Sequence, residues 1–172
     1  DLGTGYGLHD FEEWGSFPVL LMFCLMFIGG CAGSTTCSIK VFRYQVLYQL
    51  LKAQLYKLIH PRGVFLTMYN GRSMDKEIPL SVAGFVFLFF MTYLVMAMLL
   101  FLCGLDPVTA LSGAATALCN VGPGLGQEIG PATNFASLPD SAKWVLAGGM
   151  MLGRLELFTF FVLILPDFWK RA

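Results

Sequence analysis

Three short stretches carry the residue types from which chemistry could be built. "GTGYG" (Gly3 to Gly7) and "NVGPG" (Asn120 to Gly124) place glycines at alternate positions beside apolar runs, and "GGCAGSTTCS" (29 to 38) breaks such a run with ten small residues. Glycine lets a peptide unit turn where a Cβ would forbid it, and Pro123 stiffens the turn between Gly122 and Gly124. The second stretch is therefore suited to turning backbone carbonyls toward a common axis, and carbonyls at the negative end of a helix attract a cation. A fourth feature is Arg154, inside an apolar run. A guanidinium near the middle of a membrane span costs about 2.5 to 3.5 kcal/mol on insertion scales, so it is expected to face the protein interior and be paired, with loop carbonyls as suitable partners. Glu156, two residues on, falls on a different helix face and is not its simple ion-pair mate.

Other chemistries fit less well. Gly122, Gly124 and Gly126 do not make G-x-G-x-x-G after a strand, which rejects dinucleotide binding at that loop. His9, Asp10, Glu12 and Glu13 read as a solvated acidic rim that concentrates cations rather than as metal ligands, and His60 as a cap or surface residue. The five cysteines (Cys24, Cys31, Cys37, Cys103, Cys119) contain no C-x-x-C pair and sit in or beside apolar runs, which suggests neither a disulfide framework nor a zinc site. Two histidines far apart, and no acid pair within a span, make a poor enzyme.

The elements that must position these residues follow from composition. With 56% hydrophobic and 15% aromatic residues in 172, and a mean hydropathy of +0.69, the chain reads as integral membrane. Its formal charge of zero hides a sorting: seven of eleven Lys and Arg residues fall between residues 40 and 78. The first fourteen residues and the segment 104 to 142 carry acids and no Lys or Arg. Under the positive-inside rule, residues 39 to 78 are cytoplasmic and the other two segments external. The chain begins with Asp and has no secretory n-region, so it is expected to be a fragment lacking an N-terminal part.

The apolar run from 17 to 28 would make a helix only about 18 Å long, against the roughly 30 Å of a bilayer core. A non-helical stretch at membrane depth, such as 29 to 38, survives only buried in protein or facing a water-filled cavity. From 39 to about 59 an amphipathic helix leaves the membrane, ended by His60, Pro61 and Gly63. Pro79 opens, as first helical residue, an uncharged run to Cys103 long enough to span. Asp106 and Pro107 read as N-cap and first residue of a helix to 119, about 20 Å long. A re-entrant path for that helix keeps both the basic segment and the tail residues Lys170 and Arg171 inside, with Trp169 in the aromatic belt. "GTGYG" and "NVGPG", each followed by an external loop and an apolar helix, look like an internal repeat.

The ordered set "GTGYG", "GGCAGST", "SIKV", "LIHP", "NVGPGLG", "AKW" and "GRLELFT" resembles the C-terminal portion of the Trk/Ktr/HKT superfamily of potassium transporters, in particular its bacterial TrkH type. The resemblance covers essentially the whole chain. It implies an all-α integral membrane fold of K+-channel-like repeats, helix, pore helix and helix, with re-entrant filter loops. Residues 1–78 would be the end of the third repeat, comprising filter loop, broken inner helix with gating loop 29–38, and cytoplasmic extension. Residues 79–172 would be the complete fourth repeat, with outer helix 79–103, pore helix 107–119, filter 120–124, inner helix 141–165 and a cytoplasmic tail. By the same resemblance Gly3, Thr4, Gly5, Tyr6, Asn120, Val121, Gly122 and Pro123 are filter residues whose carbonyls meet K+. Gly29, Gly30, Gly33, Ser34, Thr35 and Thr36, together with Arg154, form the gate.

The resemblance further implies potassium uptake across the cell inner membrane, with lipid around a multi-pass homodimer and a cytosolic nucleotide-binding regulatory subunit of the TrkA type. No cofactor is expected in the chain, no metal other than K+ at filter carbonyls, no covalent chemistry and no nucleic-acid partner. The competing expectation is a non-conducting membrane scaffold, in which the filter glycines would tolerate larger residues. Departures from the family pattern are Leu2 and Gly3 where threonines are usual, Thr36, Cys37 and Ser38 where the gating loop usually continues with glycines, and Cys119 where Asn is frequent. The first bears on selectivity, the second on the stiffness of the gate, and the third on a supporting hydrogen bond.

Overall fold

The computed structural model describes residues 15–31, 37–60, 63, 68–69, 72–73, 77–126, 128–130 and 133–155. Five helices dominate: α1 (Ser16–Met26), α2 (Val41–Ile59), α3 (Glu77–Leu102), α4 (Pro107–Cys119) and α5 (Asp140–Arg154). A single turn of 3-10 helix, Phe135–Ser137, precedes α5. Between α2 and α3 a two-residue hairpin pairs β1 (Met68–Tyr69) antiparallel with β2 (Arg72–Ser73). Sequence reasoning passed over that hairpin, although Asn70-Gly71 between apolar and polar flanks is its ordinary signal.

Helix α3 is the spanning element. Its 26 residues have a mean hydropathy of 2.6 over the best window, and among the described residues it is the one helix long and apolar enough to cross a bilayer. It starts at Glu77, two residues before the expected start at Pro79. A proline loses nothing there, because the first-turn N–H groups have no intrahelical acceptor. Helix α4 has the expected bounds and Asp106 at its N-cap. The Asp106 carbonyl accepts from Ala110 N at 2.8 Å, but its side chain makes no cap bond. Helix α5 is described to Arg154, with Leu155 as its cap; the expected continuation to 165, the tail and Trp169 lie outside the described residues.

Packing around α4 sets the layout. Ser112 to Cys119 are buried without a break, and Ala114, Ala115, Ala117 and Leu118 have no exposed surface. Small residues let three neighbours approach closely, as membrane helices require. A Cβ added at Gly113 would touch Leu100 on α3 and Leu146 on α5, and one added at Gly149 would meet Met96 on α3 and Ala117 on α4. Residue numbers on α4 and α5 therefore rise together while those on α3 fall. Helices α4 and α5 run in one direction and α3 in the other.

Helix α1 ends halfway along α3. Phe27 lies 5.9 Å from the ring of Phe90, stacked, and meets Tyr93 edge-on at 5.4 Å and Phe89 at 6.4 Å, all near the midpoint of a helix about 39 Å long. The expected interruption is thus present at mid-height. Helix α2 resumes at Val41 and keeps to the lower half of α3, where the Arg43 guanidinium sits 3.7 Å from the centre of the Phe85 ring.

Candidate functional site

The end of α4 is built as a reversal. Asn120 takes the left-handed conformation (φ 52°), its N–H donating to Ala117 O at 3.3 Å, and Val121 N donates to Thr116 O at 3.1 Å. That pair of bonds is the Schellman arrangement, with Asn in place of the usual Gly. Two carbonyls at the negative end of α4 are consequently engaged by the chain's own amides. The sequence-based picture of a cation site made by the helix end itself must shift to the loop that follows.

The loop runs back up the flank of α4. Thr116 Oγ1 accepts from Gly122 N at 3.0 Å, and Ser112 Oγ, one turn earlier, accepts from Leu125 N and donates to Leu125 O, both at 3.1 Å. Gly124 N donates to Ile129 O at 2.8 Å. A segment that descends as a helix and climbs beside the same helix enters and leaves on one side, as the charge bias requires of a re-entrant loop. Gly122 has φ 112°, a region that L side chains rarely adopt, and it is exposed. Gly124 differs from expectation: its φ is not positive, and the position needs Gly because a Cβ would run into the Ile129 side chain. Its role is close approach rather than conformational freedom.

Helix α5 buttresses the bottom of this reversal. Asn120 Nδ2 donates to Met150 O at 3.1 Å, and a Cβ on Gly153 would collide with Leu118 O. Arg154 follows directly. Its Nη1 reaches Cys37 Sγ at 3.6 Å, across 117 residues of sequence, and its side chain is exposed within this chain. The expected link between Arg154 and the segment 29 to 38 is present, with the Cys37 thiol as one partner where loop carbonyls were expected.

The break itself has a closed neck. Gly29 N donates to Ile39 O at 2.9 Å within a parallel bridge between Ile28 and Ile39, and Val41 N donates to Gly30 O at 3.2 Å beside it. Ser38 Oγ donates to Met26 O at 2.8 Å, and Tyr44 Oη to Phe27 O at 3.1 Å. Arg154 ties this neck to the lower end of α4, since it contacts Cys37 while Gly153, next to it, lies against Leu118 O. The lower end of α4, the neck and Arg154 therefore share one level, at mid-height of α3. Of the residues singled out from sequence, Asn120, Val121, Gly122, Pro123, Gly29, Gly30 and Arg154 are placed here. Gly3, Thr4, Gly5, Tyr6, Gly33, Ser34, Thr35 and Thr36 lie outside the described residues.

Comparison with known proteins bears on what this arrangement is. Residues 2–170 match the family model of the TrkH cation transport proteins. The chain belongs to the TrkH family. It is 52% identical over 168 residues to the Trk system potassium uptake protein TrkI of Halomonas elongata, covering 98% of this chain and 34% of that protein. It is 39% identical to TrkH of Vibrio parahaemolyticus over 97% of its length. The crystal structure of the potassium transporter TrkH from Vibrio parahaemolyticus superposes with a TM-score of 0.88 at 36% identity, covering 98% of this chain and 35% of that one. The chain spans about a third of the length of the curated relatives it matches. Its fold class is that of the family, an all-α integral membrane protein built from pore-helix repeats.

Within this TrkH-family chain, sequence reasoning missed the residues that hold the reversal: Ser112, Thr116, Gly149 and Gly153. A signal was available for the first two, since they are hydroxyls four residues apart on one face of an apolar helix, where polar side chains at membrane depth need partners.

Proposed function

We propose that the chain is part of the ion-translocating pore subunit of a Trk-type potassium uptake system in the cell inner membrane. The observation that carries this reading is the re-entrant α4 and loop 120–125. Its amides at Val121, Gly122, Gly124 and Leu125 are all engaged on the protein side, so the carbonyls of the same peptide units are left to face the other way. A dehydrated cation needs such oxygens in place of its hydration shell. The names of the relatives, Trk system potassium uptake proteins, supply the ion.

In this reading residues 120–124 are one filter segment and residues 1–78 end the preceding repeat with its own filter at Gly3 to Tyr6. The break at 29–38 is the gate below, held from α5 by Arg154. Residues 39–78 and the tail are cytoplasmic, and the basic segment is the docking surface for a TrkA-type nucleotide-binding subunit on a homodimer. Passage involves no covalent chemistry and no cofactor in this chain.

The test is rubidium uptake by the protein at its full gene-encoded length, in cells lacking their own potassium uptake. Wild type is expected to restore uptake, Gly122→Ser to change ion preference, and Arg154→Ala to change rate with preference kept. Equal behaviour of all three, each present in the membrane, would overturn the filter and gate reading, and failure of all three to restore uptake would make the chain a non-conducting scaffold.

A further inference from the structure

The face of α4 turned toward the returning loop carries two buried hydroxyls, Ser112 and Thr116, each about 1% exposed. In a trans peptide unit the N–H and the C=O point in opposite directions, and none of the described peptide bonds is cis. Drawing the Gly122 N–H onto Thr116 Oγ1 at 3.0 Å therefore aims the Val121 carbonyl away from α4. Thr116 also receives the Val121 N–H on its own carbonyl at 3.1 Å, which aims the Asn120 carbonyl in the same general sense. One residue thus sets two consecutive peptide units of the loop. At Gly122 the φ of 112° is one that L residues rarely adopt, and the glycine adds no side-chain packing to the peptide before it.

We infer that Thr116 is a positioning residue for ion selection: its hydroxyl fixes the direction of the Val121 carbonyl, and discrimination between potassium and sodium depends on it. This rests on reading residues 120–124 as a filter. A valine at 116 has nearly the same shape but no acceptor, so the Gly122 N–H is left without a partner and the Val121–Gly122 unit is released to turn. Serine keeps the acceptor. Ser112 takes the Leu125 N–H and by the same rule aims the Gly124 carbonyl, at the end of the candidate filter, so the comparison is made at Thr116 itself.

The experiment measures rubidium uptake and its competition by sodium, again with the full-length protein in cells lacking potassium uptake, for wild type, Thr116→Val, Thr116→Ala, Thr116→Ser and Gly122→Ser. Thr116→Val is expected to lose at least about fivefold in preference over sodium, the scale of one hydrogen bond, while Thr116→Ser keeps the wild-type ratio. An unchanged ratio in Thr116→Val beside a changed one in Gly122→Ser overturns the inference and leaves the filter reading standing. An unchanged ratio in both overturns the filter reading itself. Should Thr116→Val fail to reach the membrane, Thr116→Ser decides: a lost preference there, with the hydroxyl retained, refutes the assignment, and so does a kept preference in Thr116→Ala, which removes the same acceptor.

Discussion

The glycines of α5 differ sharply in what surrounds them. A Cβ on Gly153 would strike Leu118 O and come within 2.9 Å of Asn120 Nδ2, backbone and a bonded side chain that cannot yield without undoing the reversal. On Gly149 it would meet the thioether end of Met96, which has other rotamers to adopt, and on Gly148 it would meet nothing within 4 Å. The expected order of thermal stability in detergent is therefore Gly148→Ala highest, then Gly149→Ala, with Gly153→Ala lowest by the equivalent of roughly 1 to 3 kcal/mol of overpacking. Melting temperatures that failed to separate Gly153→Ala from Gly148→Ala would show that α5 does not press on the end of α4. The glycine pair in "NVGPG" was recognisable from sequence as a loop feature, but that Gly122 is needed for its φ and Gly124 for its closeness to Ile129 is visible only in three dimensions.

The neck of the break is where two elements depend on each other. Helix α1 is only eleven residues long and α2 begins afresh at Val41, so the break is held at its ends by the bridge at Ile28 and Ile39, by Ser38 on Met26 and by Tyr44 on Phe27. Gly29 lies tight against the returning strand, since a Cβ there would sit 3.0 Å from Ser38 O and 3.2 Å from Ile39 O. Deleting the Ser38 hydroxyl removes a buried bond worth about 1 kcal/mol, and amide exchange at residues 28–30 and 39–41 is expected to quicken several-fold in Ser38→Ala. Unaltered exchange there would mean that the neck is held without the serine. The stopping of the helix at this point was legible from ten small residues in a row; the return of the chain to pair with itself was not, because a parallel bridge between positions eleven apart leaves no periodic trace.

At the scale of the molecule the question is which ends face which compartment. Helix α3 crosses once, with α2 packed on its lower half and α4 entering from its upper end. Single cysteines replacing Lys57, at the far end of α2, and Glu128, after the returning loop, are therefore expected to react with a membrane-impermeant maleimide from opposite sides, Glu128→Cys in intact cells and Lys57→Cys only after permeabilisation. Reaction of both from one side would contradict a single crossing between them. The direction of that assignment comes from the basic residues clustered at 40 to 78, through the positive-inside rule.

The sequence by itself determined the membrane class, the interruption after Ile28, the bounds of α4 and the family, because apolar run length, small-residue clusters and a Pro after Asp are local properties of the chain. It also pointed to Arg154 as a residue that must have a partner. The tertiary structure alone decided that the partner includes Cys37, that the end of α4 spends two carbonyls on its own cap, and that Thr116 and Ser112 hold the returning loop. These meetings join residues 3 to 117 apart, and those between distant segments are set by how closely small residues allow helices and loops to approach, which no pattern within a single segment records.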